Sequence, residues 1–475
     1  MWLLKDVLVA LEVLLLFNLL IFVHELGHFL AARWRGLQID RFAIWFGKPI
    51  WRAKINGVEY ALGTIPAGGY VALPQMATME TIEGKREGTA PPLPPISALD
   101  KIIVAFAGPL FSFLLALAFA VVVMEVGRPV SEGETTTTIG YVEKDSPAEK
   151  AGLQPGDRIL EVDGHAVTKF DGMGNSVKWR IVRSEGETIP ITVERRVDSE
   201  NKILKFNPVP MKEETKFWQR KSLRELGIWP AETAFIATVS PNSPAAAAGL
   251  RKGDCVMEVN GTRLYYRAGL SEYMEEHPTE KLRLGIERAG QHFVATVVPE
   301  KPISPPGEKL RIGIVWDADG RTTLAYPGAF EQVRASVNAM VETFGALFAR
   351  HSDIKPQHLG GAVKIMDVYA RLFSRDQGWR LALWFSVLMN VNLAVLNMLP
   401  IPVLDGGHIL LALIEGARRK PVSVRVISAV QTSCAVLIIA FMLYIAFYDV
   451  QDLPWSHGKD KTTDIRFAPK APVKN

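Results

Sequence analysis

His24-Glu25-Leu26-Gly27-His28 sets two imidazoles four residues apart around a carboxylate. On a helix, residues at that spacing share a face, so both rings can point at one metal ion while Glu25 lies beside it to take a proton from water. This is the arrangement of hydrolytic zinc sites. The preceding run, Leu14 to Val23, is apolar except for Asn18. A carboxylate at membrane depth costs about 2.5–3.5 kcal/mol, so a Glu flanked by two His in such a run reads as employed in chemistry. The plainer alternative is polar contact between helices.

Two histidines do not complete a catalytic zinc site, which uses three protein ligands and leaves one position open. The third candidate lies far along the chain in Asn397-Met-Leu-Pro400-Ile-Pro402-Val-Leu-Asp405-Gly406-Gly407, where two prolines and two glycines interrupt an apolar segment. Irregular backbone at membrane depth is tolerated only where protein or a wet cavity surrounds it. Asp405 is therefore a carboxylate delivered to such a cavity. His408 could be a further ligand, or it could belong to the helix start or stand behind the ligands.

The elements that must position these groups are apolar stretches near 7–32, 102–127, 381–400 and 426–448, each close to the ~20 residues that cross a hydrocarbon core. The 475-residue chain is 48% hydrophobic, and that excess sits largely in these four stretches. The first is too long, and carries too many polar groups, for a cleaved secretory signal. Basic residues crowd behind the first stretch (Arg33, Arg35, Arg41, Lys48, Arg52, Lys54) and between the last two (Arg418, Arg419, Lys420, Arg425). The positive-inside rule makes both loops cytoplasmic and puts residues 128 to 380 on the other side, together with both termini. The net charge of +4 calls for no nucleic acid. Cys255 and Cys434 fall in different compartments, so no disulfide is expected.

Between the apolar stretches, Ile50 to Ile55, Asn56-Gly57 and Val58 to Leu62 form a hairpin signal, since Asn-Gly suits a type I′ turn. Pro66 to Tyr70 is expected to end it in an irregular turn, and the Pro- and Gly-rich residues 84–95 read as a linker. Ile139 to Gly164 aligns with Ile236 to Gly261, sharing Ser-Pro-Ala, Ala-Gly-Leu and Gly-Asp, so one small domain occurs twice. Each copy resembles a PDZ domain in circularly permuted order, with loops Leu226-Gly227-Ile228 and Ile312-Gly313-Ile314 placed to receive a peptide carboxylate. Ala329 to Arg350 has the apolar spacing of an amphipathic helix. The reading is 1–36, first span; 37–100, strand region and linker; 101–127, second span; 128–231 and 232–318, PDZ-like domains; 319–380, amphipathic helix and connector; 381–415, third span; 416–449, fourth span; 450–475, tail.

H-E-x-x-H together with N-x-x-P-x-P-x-L-D-G-G resembles the site-2 protease family of intramembrane zinc metalloproteases, and the tandem PDZ-like domains resemble its bacterial regulator-of-sigma-E protease group. The likeness covers nearly the whole chain. It implies a polytopic α-helical membrane protein with about four transmembrane helices, a membrane-associated β-hairpin region and two extracytoplasmic PDZ-like α+β domains, in a bacterial cytoplasmic (inner) membrane. It implies one Zn2+ on His24, His28 and Asp405, general acid and base work by Glu25, and substrate or transition-state contact by Asn397. The strand region 41–72 looks like the family's membrane-re-entrant hairpin, whose edge at Ile65, Gly68, Gly69 and Val71 would hold an unwound substrate. Expected partners are the lipid bilayer and a pre-trimmed single-span protein, such as an anti-sigma factor or a remnant signal peptide. Many relatives carry Asn where Ser112 follows Gly108-Pro109, a departure expected to touch helix packing or gating and to leave the metal site alone. A metal transporter would commonly show an inverted repeat, which is not evident here. A catalytically idle PDZ scaffold would have no use for Glu25 and Asp405.

Overall fold

The structure is a computed structural model, which describes residues 2–76, 96–304, 309–317, 320–420, 422–453 and 465–468. The linker 84–95 and the tail charges Lys459, Asp460, Lys461 and Asp464 lie outside the described residues. In chain order the first elements are α1 (Trp2–Trp34), β1 (Arg41–Phe46), β2 (Trp51–Ile55), β3 (Val58–Leu62), β4 (Ile65–Ala72), α2 (Ala98–Val126) and β5 (Arg128–Ser131). The first repeat holds β6 (Ile139–Val142), α3 (Pro147–Ala151), β7 (Arg158–Val162), β8 (His165–Ala166), α4 (Val177–Arg183), β9 (Ile191–Val197), β10 (Glu200–Phe206) and β11 (Ile228–Pro230). The second holds β12 (Ala234–Val239), α5 (Pro244–Ala247), β13 (Cys255–Val259), β14 (Thr262–Arg263), α6 (Ala268–Glu276), β15 (Leu282–Arg288), β16 (Gln291–Val297) and β17 (Ile314–Trp316). Then come β18 (Thr322–Ala325), α7 (Ala329–Phe348), α8 (Ala362–Phe373), α9 (Gly378–Asn397), α10 (Asp405–Arg418) and α11 (Val424–Gln451). The chain divides into two compact units, one of residues 1–128, 326–341 and 359–456, the other of 129–325, 342–358 and 457–475.

In the first unit, four of the described helices are long and apolar enough to cross a membrane, over Leu4–Trp34, Ala98–Val126, Gly378–Asn397 and Arg425–Gln451. Helix α2 packs against α1, α9 and α10. Its start is fixed by a reciprocal cap, with Ser97 accepting from the Asp100 N–H and Asp100 from the Ser97 N–H. Gly27 lets α1 and α2 close together, because a Cβ there would stand 2.4 Å from the Ala107 carbonyl oxygen. The segment before α9, expected to be a connector after the amphipathic helix, contains α8. Its N-terminal N–H groups at Gly361 and Lys364 donate to Asp449 of α11, at 2.9 and 3.2 Å, so a buried carboxylate is satisfied by orphan helix-end donors.

The strand region is a four-stranded sheet in the order β2-β3-β1-β4. β2 and β3 pair antiparallel around Asn56 and Gly57, whose φ values of +50° and +86° suit the expected turn. Pro66 to Tyr70, expected to be an irregular turn, instead lies within β4. That strand pairs antiparallel with β1, Phe42 opposite Val71 and Ile44 opposite Gly69, with a register shift before Phe46 opposite Ile65. Gly68, at φ +73°, absorbs the kink, and no side chain fits there because a Cβ would meet the Phe46 ring at 2.0 Å. On the other side, the Trp45 indole N–H donates to the Asn18 amide oxygen, tying β1 to α1. Phe29, Ala32, Phe42, Val71, Leu73 and Val104 form the core between helices and sheet.

In the second unit the two repeats share their local devices. Ser146 and Ser243 cap α3 and α5 by accepting from Glu149 and Ala246 N–H groups. The Gly-Asp turns bury Asp157 and Asp254, each gripped by an arginine: Arg195 Nε donates to Asp157 at 2.6 Å and Arg288 Nε to Asp254 at 2.6 Å. Each guanidinium also donates to a carbonyl, of Gly152 or Gly249. Burial opposes the charge on Asp254, yet Arg288 and the Arg251 N–H hold its carboxyl below the usual carboxylate range. Separate apolar cores lie under the two repeats, around Ile159 and Phe170 and around Leu270 and Leu284. β5 and β18 pair, closing the ends of the segment that carries both repeats. Cys255 and Cys434 are both free.

Candidate functional site

α1 presents His24 and His28 on the side that faces α2, with Glu25 next to them. α9 ends at Asn397, and α10 begins at Asp405 after an irregular stretch, so the third apolar segment is interrupted where its prolines and glycines fall. The two glycines after Asp405 are required by space: a Cβ on Gly406 would meet the Met398 carbonyl oxygen at 2.3 Å, and one on Gly407 that of Ile401 at 2.1 Å. The returning chain is thereby pressed against its own carbonyls, and Asp405 is fixed at the first turn of α10.

His24, His28 and Asp405 each offer a ligand atom within 4.8 Å of the other two. His24 Nε2 stands 3.3 Å from Asp405 Oδ2 and His28 Nε2 3.3 Å from Oδ1, while the two Nε2 atoms are 3.3 Å apart. Behind them the rings are anchored. The His28 Nδ1–H donates to the Val104 carbonyl at 2.8 Å, and His24 Nδ1 pairs with the Ser112 hydroxyl at 3.0 Å. Because the Val104 carbonyl can only accept, the proton of the neutral His28 ring belongs on Nδ1, and the Nε2 lone pair faces the cluster. The His28 Nε2 lone pair and the Asp405 carboxylate converge at such distances, and a cation bound among them relieves their mutual repulsion.

Gly108 of α2 supplies the space in front of both rings. A Cβ there would come within 2.2 Å of His28 Nε2 and 2.9 Å of His24 Nε2. The donor set of two imidazoles and one carboxylate, together with this cradle, fits a catalytic zinc with an open position. His408 is buried but outside the convergent trio.

The trio opens on a cavity of ≈ 290 Å³ lined also by Glu25, Asn397, Gly69 and Tyr70. Asn397 Nδ2 is 3.4 Å from His24 Nε2, so its amide stands at the cluster. β4 borders the cavity as an outer strand of its sheet, and a Cβ on Gly69 would lie 3.1 Å from Glu25 Cγ. Gly68 and Gly69 line the cavity, whereas the exposed Ile65 and the fully buried Val71 are not among its lining residues. The loop residues of the repeats belong to the other unit. Leu226, Ile228 and Ile312 are buried in their modules, Ile314 is half-buried, and Gly227 and Gly313 turn the chain at φ +73° and +82°.

Ser112 corrects one expectation directly, because it touches His24 and does not leave the metal site alone. The sequence could not reveal this contact, which depends on the register between α1 and α2. Losing such an outer partner costs about 10–100-fold in metal affinity or activity. Ser112→Ala is therefore expected to weaken zinc binding, measured by competition with a chelator, by that factor. Affinity equal to wild type would mean that helix packing alone orients His24.

Comparison with known proteins agrees with this chemistry. The sequence profile described as Peptidase family M50 matches residues 12–441. The regulator of sigma-E protease RseP of Escherichia coli (strain K12) is 30% identical over 95% of this chain and 99% of its own. Protease RseP of Yersinia pestis is 29% identical over 92% and 97%. A Neisseria meningitidis protein that carries the provisional name zinc metalloprotease is 28% identical over 91% and 96%. With a convergent His, His, Asp trio, a neighbouring glutamate and a family match across most of its length, the chain belongs to Peptidase family M50 and is a zinc metalloprotease.

Proposed function

We propose that this protein cuts peptide bonds within the membrane-spanning segments of single-span proteins already trimmed outside the bilayer, and that it does so in a bacterial inner membrane. The observation that carries this reading is the placement of His24, His28, Asp405 and Glu25 on one cavity lined in part by α1 and α9, two helices long and apolar enough to span. The Escherichia coli relative is named a regulator of sigma-E protease; this supports an anti-sigma factor as one substrate class, beside remnant signal peptides.

His24, His28 and Asp405 would hold the zinc, and Asn397 lies against His24. When bound, the zinc supplies Lewis-acid chemistry that makes water acidic enough to lose a proton near neutral pH. Glu25 takes a proton from the water that attacks the scissile carbonyl and gives it to the leaving amine as the C–N bond breaks. The Asn397 amide donates to the oxyanion that develops. A helical substrate hides its peptide bonds, so it must be held extended, and β4 offers a strand edge beside Glu25 for that purpose. Ile65→Pro removes one backbone donor from β4 at an exposed position. It is expected to slow cleavage several-fold with zinc content unchanged; normal cutting would remove the Ile65 end of β4 from the substrate edge. Proline at the buried Val71 would disturb the core as well.

The repeats act as PDZ-like domains that admit short substrates. Two roles are open to them, a size filter or capture of the new C-terminal end at Gly227 or Gly313, and the filter is favoured because it needs no particular end sequence. Excising residues 135–316 leaves the β5 and β18 pair. Assayed on matched long and short substrates, folded and zinc-loaded excised protein should cut the long one at a rate near that for the short one. Retention of the short-substrate preference would place the filter elsewhere. A bulky residue at Gly227 or Gly313 is a poor test of capture, since a Cβ there already meets Ser146 at 2.5 Å or Ser243 at 2.2 Å.

A further inference from the structure

The two repeats share their capped helix, their Gly-Asp turn and their glycine loop, so a difference between the loops stands out. Around Gly227 the atoms nearest to a built Cβ belong to Ser146 and Glu143 of the same module. Around Gly313 they belong to Ser243 and also to the ring of Phe467, 2.8 Å away. Phe467 comes from the C-terminal tail and is only 4% exposed. Its neighbour Arg466 forms an antiparallel bridge with Ser304. The Ile303 N–H donates to the Arg466 carbonyl at 2.7 Å, and the Arg466 N–H donates to the Ser304 carbonyl at 3.1 Å. A buried aromatic anchor combined with backbone pairing is how an extended peptide docks on a recognition domain.

We infer that residues 465–468 are an internal ligand of the second module, seated on its glycine loop, so that the two repeats are functionally unequal. The tail is covalently tethered, which gives it an effective concentration on the order of mM. A free peptide of similar affinity therefore does not displace it. The second loop becomes accessible only when the tail leaves. A substrate end would then be taken by the first module, a consequence that rests on the capture reading above; the docking itself does not.

The contact can be tested in the full-length protein. On a Cys255→Ala, Cys434→Ala background, Ser304→Cys with Arg466→Cys places thiols on directly opposed residues of an antiparallel bridge, within reach of a disulfide. Mild oxidation in membranes should join residues 304 and 466 in most chains, as read by mass spectrometry of the linked peptides. Adding Phe467→Asp should lower that yield at least tenfold. Hydrogen exchange on the chain with its native cysteines and Ser304 reads the same contact without thiols. There Phe467→Asp should speed exchange at the Ile303 amide at least tenfold and leave the first module's Ile228 and Trp229 amides unchanged. Exchange at Ile303 decides the matter: unchanged protection overturns the docking, and equal acceleration in both modules overturns a contact specific to the second. Neither readout involves substrate, so failure here is separable from failure of the capture reading.

Discussion

Alanine in place of His24, His28 or Asp405 is expected to empty the zinc site of the purified protein, which should otherwise hold about one ion per chain. The three side chains converge at 3.3 Å from α1 and the start of α10, and loss of any one leaves two ligands where a stable catalytic site uses three. The fall in affinity should exceed the about 10–100-fold that follows loss of an outer partner such as Ser112. Metal content of folded, detergent-purified variants, measured by mass spectrometry, checks it. Full occupancy in Asp405→Ala would remove that residue from the ligand set and leave the Asp-Gly-Gly segment without its assigned purpose. Removing Asp405 also takes away the charge that faces both rings, so the two histidine variants serve as the comparison for any general loosening of the fold.

Glu25→Gln should do the reverse, keeping zinc and fold while losing proteolysis. The amide is close to the carboxylate in shape, and the nearby β4 backbone at Gly69 leaves little room for a change of position. What the amide lacks is the ability to accept a proton from water. Removal of a positioned general base costs about 10²–10⁴-fold. The expected result is a rate of cutting lower by that factor in protein with normal metal content. A rate within a few-fold of wild type would assign the proton transfer to another group on the cavity.

The candidate groups of the site were legible because each motif is local, although their meeting across the chain is not. His24 and His28 are four apart on a helix, and the prolines and glycines around Asp405 can hardly sit in an uninterrupted one. The Asn-Gly turn and the paired repeats were legible for the same reason. What remained hidden depends on registers between distant segments. The Ser112 contact with His24 and the Gly108 cradle arise from how α2 lies on α1, which a single helix pattern does not encode. β4 is hidden in the sequence because Gly and Pro signal turns locally, whereas here glycine permits close passage over Glu25 and beneath the Phe46 ring. Arg195 and Arg288, which hold the two Gly-Asp turns, lie 38 and 34 residues from their partners. Phe467 is further still from the loop it covers, and nothing in the tail's composition announces it.

The most direct test follows one bond. Purified protein, reconstituted with a short single-span substrate, is assayed before zinc removal, after chelation and after return of one equivalent of zinc, with the products located by mass spectrometry. The account predicts a cut inside the apolar span, lost on chelation and restored by zinc. A cut outside the span, or cutting that persists once zinc is gone, would contradict it.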